Sequence, residues 1–169
     1  MLSKNVSDVM NEQINNEFYA AYIYLSMSAY FESLNLPGFA RWMRAQALEE
    51  TEHAMKFFDH INDRGGRVAL QPIAAPPVEF DSPLAAFEAA HAHEKKVTAM
   101  INNIYNIVLK ENDYPARSML QWFVDEQVEE EKNALDIVEQ LKMIGDNKMG
   151  LLMLDRELGQ RSPAGEDEG

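Results

Sequence analysis

Apolar residues recur along this chain in alternating steps of three and four, tracing four stripes. The first is Met10, Ile14, Glu17, Ala21, Tyr24, Ser28 and Phe31, and the second is Phe39, Met43, Gln46, Glu50, His53, Phe57 and His60. The third runs Leu84, Phe87, His91, Glu94, Thr98, Ile101, Tyr105 and Val108. The fourth runs Leu120, Phe123, Gln127, Glu130, Ala134, Ile137, Leu141 and Ile144. That period holds each set on one face of an α-helix, so the pattern predicts four long amphipathic helices sharing a core.

Turn residues punctuate the stripes. Helix α1 is predicted from Ser3 to about Glu32, a length of about 45 Å at the usual rise per residue. After the short link Leu34 to Leu36, Pro37 suits the first turn of α2, which Gly65-Gly66 should end. A polar, proline-rich stretch from about Arg67 to Asp81 precedes Ser82-Pro83, the predicted start of α3. The brief break at Asn112 to Tyr114 leads into α4, with Pro115 in its first turn and Gly145 at its close. Short links make α1–α2 and α3–α4 antiparallel hairpins. About seventeen extended residues between α2 and α3 can span on the order of 55 Å, enough to cross the bundle and leave those two helices parallel.

A fifth helix, α5, is predicted from Asn147 to about Leu158, capped by Asp146 and stopped by Gly159 and Pro163. Its run Met149-Gly150-Leu151-Leu152-Met153-Leu154 is apolar around most of its circumference, more than one bundle can cover, so burial in an assembly is expected. The expected organisation is one all-α domain over residues 1–160, with a disordered acidic tail at 161–169.

Composition narrows the chemistry. The 169 residues are 46% hydrophobic and 25% charged, which suits a globular domain with a sizeable core. No apolar run is long enough to cross a bilayer and nothing near the N-terminus resembles a signal peptide, so no membrane partner and a cytoplasmic location are expected. The chain has no cysteine, which excludes disulfides, thiolate zinc sites and cysteine-bound iron centres. Its formal charge of −13 disfavours nucleic acid as a partner and favours cations.

The stripes themselves carry the candidate chemistry. Each is interrupted near its middle by a carboxylate, and the interruptions repeat. Glu17 to Glu94, Glu50 to Gln127 and His53 to Glu130 are each 77 positions apart. Glu50 and His53 are neighbours on one face, as are Gln127 and Glu130. Several buried carboxylates at one depth need positive charge among them, and divalent cations supply it. A mid-helix Glu on each of two helices, with Glu-x-x-His on another, is the pattern of a two-metal carboxylate site. Such ligands suit ferrous iron or manganese and tolerate zinc.

At these residues the chain resembles the prokaryotic non-haem ferritins, bacterial and archaeal, over essentially Ser3 to Gln160. The resemblance rests on Asn-Glu-Phe-Tyr-Ala-Ala-Tyr at 16–22, Glu-Glu-Thr-Glu-His at 49–53, His-Glu at 93–94 and Trp-Phe-Val-Asp-Glu-Gln-Val-Glu-Glu-Glu at 122–131. It implies a ferritin-like bundle, an iron store and a ferroxidase centre within each subunit. It also implies iron as the metal, with the first ion held by Glu17, Glu50 and His53. The second would be held by Glu50, Glu94 and Glu130, with Gln127 close by. Tyr24 matches the family tyrosine near the centre and could donate an electron or a hydrogen bond. Glu49, Glu126, Glu129 and Glu130 match a third iron position, although an acidic run of this kind also serves as a solvated face. The implied reaction oxidises Fe(II) with O2 or hydrogen peroxide and stores Fe(III) as a mineral inside a closed cage, expected by resemblance to have 24 subunits.

Two other classes compete. A soluble di-iron oxidase or peroxidase without storage is the alternative, but its relatives place His where Glu130 stands, and one group adds a cysteine-bound iron module. An acidic helical scaffold without chemistry leaves the buried carboxylates unexplained. His60 and His91 are expected to be structural. Met43, Met55 and Met100 are expected to pack, so no haem is assigned.

Overall fold

The computed structural model describes residues 2–161. Within them lie α1 (Lys4–Ser33), α2 (Pro37–Asp63), α3 (Pro83–Glu111), α4 (Tyr114–Ile144) and the short α5 (Lys148–Leu158). The expected boundaries of the four long helices hold to within a residue or two. Of the expected tail at 161–169, residues 162–169 lie outside the described residues.

Local capping explains where the helices start. Ser3 Oγ accepts from the Val6 N–H at 3.3 Å, Ser82 Oγ from the Ala85 N–H at 3.0 Å, and Asp113 Oδ1 from the Ala116 N–H at 3.1 Å. Each satisfies a first-turn donor that has no partner inside the helix. Helix α2 has no such cap of its own, because Leu36 precedes it. Its cap comes from α5 instead: Asp155 Oδ1 accepts from the Gly38 and Phe39 N–H groups at 2.8 and 3.0 Å. The approach is so close that a Cβ on Gly38 would sit 1.6 Å from the Asp155 carbonyl oxygen. Helix α5 is itself capped by Asn147, whose Oδ1 accepts from Met149 and Gly150, and not by Asp146 as expected. Asp146 belongs to the turn closed by the Asn147 N–H on the Ile144 carbonyl, so Asn147 is the first residue with an extended backbone free to cap.

The two hairpins turn their corners with the same device. Asn35 and Asn112 both adopt left-handed backbone, with φ of 56° and 55°. At the first corner the Leu36 N–H bonds the Phe31 carbonyl, and at the second the Asp113 N–H bonds the Val108 carbonyl. Asparagine tolerates this conformation better than most residues with a side chain.

Side-chain bonds between helices give their directions. Asn5 meets Glu111 and Tyr24 meets Glu94, so α1 runs antiparallel to α3. Gln46 meets Glu130 and Arg64 meets Asp113, so α2 runs antiparallel to α4. Since α1 and α2 form a hairpin, α2 and α3 are parallel, as the long connection predicts. That connection lies along α1. Asn11 bonds the Arg67 carbonyl and the Ala69 N–H near one end, and Ser26 Oγ donates to the Pro77 carbonyl further along.

The apolar core is divided in two. One cluster includes Tyr24, Phe31, Phe39, Trp42, Phe87 and Leu141, and the other includes Met10, Ile14, Phe57, Ile61, Ile101 and Phe123. Ring pairs tighten both, with Phe31–Phe39 centroids 5.0 Å apart and Phe57–Phe123 4.4 Å apart. Each such buried side chain stabilises the fold by about 1.5–3 kcal/mol, so two apolar clusters can support a polar layer between them. Helix α5 adds Leu154 and Leu158 to the first cluster, but Met149 and Met153 remain 66% and 65% exposed.

Candidate metal centre

Between the two apolar clusters the four stripe interruptions meet. Glu17, Glu50, Glu94 and Glu130 are each at most 3% exposed, and His53 and Gln127 are buried with them. One ligand atom from each of Glu17, Glu50 and His53 lies within 4.8 Å of the others, and His53, Glu126 and Glu130 form a second group of this kind. His53 Nδ1 is 3.4 Å from Glu50 Oε2. Glu94 joins neither group at that distance, yet its charge bears on Glu17, Glu50 and Glu130.

The surrounding donors treat the carboxylates unequally. Gln13 Nε2 donates to Glu17 Oε1 at 2.8 Å, and Gln46 Nε2 donates to Glu130 Oε2 at 2.6 Å. Glu94 accepts from the Tyr24 hydroxyl and from Gln127 Nε2, the latter at 3.3 Å. Among the described residues Glu50 accepts from no donor: both its oxygens are buried and orphaned, as is Glu17 Oε2. Native interiors rarely leave such atoms bare. A proton shared between Glu17 and Glu50 satisfies two of these three atoms at most, and bound cations would satisfy all three. The carboxylate with two free oxygens is the one suited to bridge two ions.

Burial dominates the electrostatics. It raises Glu17 to about 7 despite the Gln13 hydrogen bond, and Glu130 to about 8, with Glu94 and Glu49 adding to the latter. Glu50 is raised well above the usual carboxylate range by burial and by the charges of Glu94, Glu17 and Glu130. Glu94 is raised by burial against the hydrogen bonds from Tyr24 and Gln127. His53 moves the other way, to about 4, through burial and then Lys56. It is therefore a neutral imidazole at neutral pH, the form that binds metal. The edges of Trp122 and Phe123, with ring centroids 5.3 and 5.9 Å away, hold its plane.

The three further acids reach the same neighbourhood from outside. Glu49, Glu126 and Glu129 line a cleft of about 200 Å³ together with Glu130, His53, Lys56 and Arg161. Glu49 and Glu126 are partly buried, whereas Glu129 is exposed. Burial raises both partly buried acids. Glu129 and Glu49 add to the shift of Glu126, while Arg161 opposes that of Glu49.

Sequence reading missed the amide donors. Gln13 sits one turn before Glu17, a spacing that could have identified it as a support, whereas Gln46 donates across the bundle to Glu130 and no spacing along the chain points to it. No pattern identified Arg161. His60 is half-buried beside Arg64, whose guanidinium clasps Asp113 with contacts of 2.9 and 3.1 Å.

Comparison with known proteins agrees with this geometry. The family model described as "Ferritin-like domain" matches residues 7–144. A bacterial non-heme ferritin of Staphylococcus saprophyticus is 42% identical over 162 residues, covering 96% of this chain and 97% of that protein. A bacterial non-heme ferritin of Staphylococcus aureus is 38% identical, covering 96% and 98%. Among solved structures, an open pore ferritin from the hyperthermophilic archaeon Archaeoglobus fulgidus superimposes with a TM-score of 0.95 at 51% identity, covering 96% of this chain and all of that one.

Proposed function

This chain belongs to the ferritin family, and on that premise we infer that it oxidises Fe(II) inside each subunit and stores the Fe(III) as a mineral within a shell of its own copies. The observation carrying this reading is the buried meeting of four glutamates and one neutral histidine, with Glu50 lacking any donor. Iron is the substrate. Glu17, Glu50 and His53 hold one Fe(II), and Glu50, Glu94 and Glu130 hold a second, with Gln127 beside it. Each Fe(II) gives one electron, so the pair reduces O2 to hydrogen peroxide with two protons, or hydrogen peroxide to water.

The chain's part is to bind, orient and exchange protons. Gln13 and Gln46 orient Glu17 and Glu130, and Tyr24 orients Glu94. Burial, with the Glu94, Glu50 and Glu130 charges, raises the Tyr24 hydroxyl well above its ordinary value, which keeps it a donor. Glu49, Glu126 and Glu129 with Glu130 form a third position, through which iron moves toward the cleft and the shell interior. No helix among the described residues is long and apolar enough to cross a membrane. The shell of 24 subunits and the cytoplasmic location follow the family resemblance, and the uncovered face of α5 supports burial in an assembly.

Aerobic Fe(II) titration tests the reading. We expect uptake far beyond three ions per subunit, and loss of the fast oxidation phase in Glu50→Ala with helical circular dichroism retained. Uptake that stops at a stoichiometric few would point to a soluble di-iron oxidase without storage. Unchanged stopped-flow kinetics in the variant would defeat the role given to Glu50.

A further inference from the structure

The acidic cleft beside the bundle interior already contains a positive charge belonging to the chain. Arg161, three residues past the end of α5, donates from Nη2 to Glu49 Oε2 at 2.6 Å. Its guanidinium carbon lies 4.6 Å from the centroid of the Trp42 ring. The segment leading to it is fastened in turn: the Gly159 carbonyl accepts from Arg41 Nη1 at 3.0 Å, and the Gln160 and Arg161 N–H groups bond back to Glu157 and Leu158. Arg161 Nη1 is buried with no acceptor among the described residues. The guanidinium is thus incompletely satisfied, and an ordinary structural pin would make fuller use of its donors.

We propose that Arg161 is a resident counter-cation of the third iron position, competing with a metal ion for Glu49. This rests on the reading of Glu49, Glu126, Glu129 and Glu130 given above. The Glu49 oxygen nearest the guanidinium cannot also take a metal ion at about 2.0–2.2 Å without bringing two positive charges together. A metal ion therefore displaces Arg161 from Glu49 or binds without Glu49, and either course weakens its hold. Docking of residues 159–161 and loading of the cleft are then linked, and the linkage is reciprocal: the segment weakens the metal by the same factor as the metal loosens the segment. A position that always has a competitor at hand releases its ion readily. That property suits a way-station between oxidation and storage.

The test uses Zn(II), which binds without redox turnover. It is titrated calorimetrically into the metal-free assembled protein and into its R161Q, E49Q and E49Q/R161Q forms. In R161Q we expect the third ion to bind on the order of tenfold tighter, with the first two unaffected and with no such gain when E49Q is already present. In the unsubstituted protein, amide exchange at residues 159–161 should quicken as the third ion fills. Three ions of unaltered affinity in R161Q, or exchange indifferent to the third ion, would remove the role of Arg161 and leave the third position standing. Two ions only, in both forms, would remove the position and the proposal together. If R161Q fails to assemble, exchange in the unsubstituted protein decides alone.

Discussion

At the scale of the residue, burial sets which protons the centre holds, and these are what a metal ion must displace. With Glu17 raised to about 7 and Glu130 to about 8, both carry protons for part of the time at neutral pH. Zinc titrations near pH 7, repeated in buffers of different ionisation enthalpy, should therefore show proton release on binding. The same shifts govern stability. Between the ordinary glutamate value of 4.5 and these raised values the folded chain binds more protons than the unfolded one, so their contribution falls as pH rises. His53, lowered from 6.5 to about 4, acts oppositely, and its contribution is lost as pH falls through that window. Above 6.5 only the carboxylate effect remains. Calorimetry of the metal-free protein should show the melting temperature falling from about pH 6.5 to about pH 8, with a smaller fall when Zn(II) is bound. The four glutamates buried together were legible in the chain because a carboxylate on an apolar stripe is an anomaly, and His53 and Gln127 followed from their three-residue spacing to Glu50 and Glu130. Gln13 and Gln46 were not, since Gln13 lies off the first stripe, one turn before Glu17, and the partner of Gln46, Glu130, stands across the bundle where packing sets it.

At the scale of the element, α5 is the piece whose attachment sequence reading left open. Its apolar run announced a helix, but its latch is a single carboxylate that supplies the first turn of α2 with the cap Leu36 cannot provide. We expect Asp155→Ala to destabilise the fold by about 1 kcal/mol, the usual cost of a lost cap, and to speed amide exchange within α5 before the rest of the bundle. Equal exchange throughout would show that the apolar contacts of Leu154 and Leu158 alone hold the helix. The four long helices were readable because the stripe period is joined at each start by a capping serine, a first-turn proline or both. The displaced cap at Asn147 was not, because Asp146 and Asn147 are both good caps and the turn after Gly145 selects between them.

At the scale of the whole molecule, apolar side chains on α5 and on the long helices remain uncovered within the described chain. Met149, Leu152 and Met153 are exposed on α5, and Tyr22, Leu25, Leu48 and Val128 are exposed on the long helices. Ending the chain after Gly145 should therefore weaken assembly, which native mass spectrometry would show as smaller species, and an intact shell would contradict it. Topology was legible from connection lengths, whereas subunit number is a property of surfaces that no stripe describes. Asn35 and Asn112 stand 77 positions apart, the same interval that relates the two halves of the metal centre. The molecule thus contains its own internal reference. A substitution that acts through backbone strain alone must do equal harm at both bends, and any inequality between them measures the neighbourhood in place of the turn.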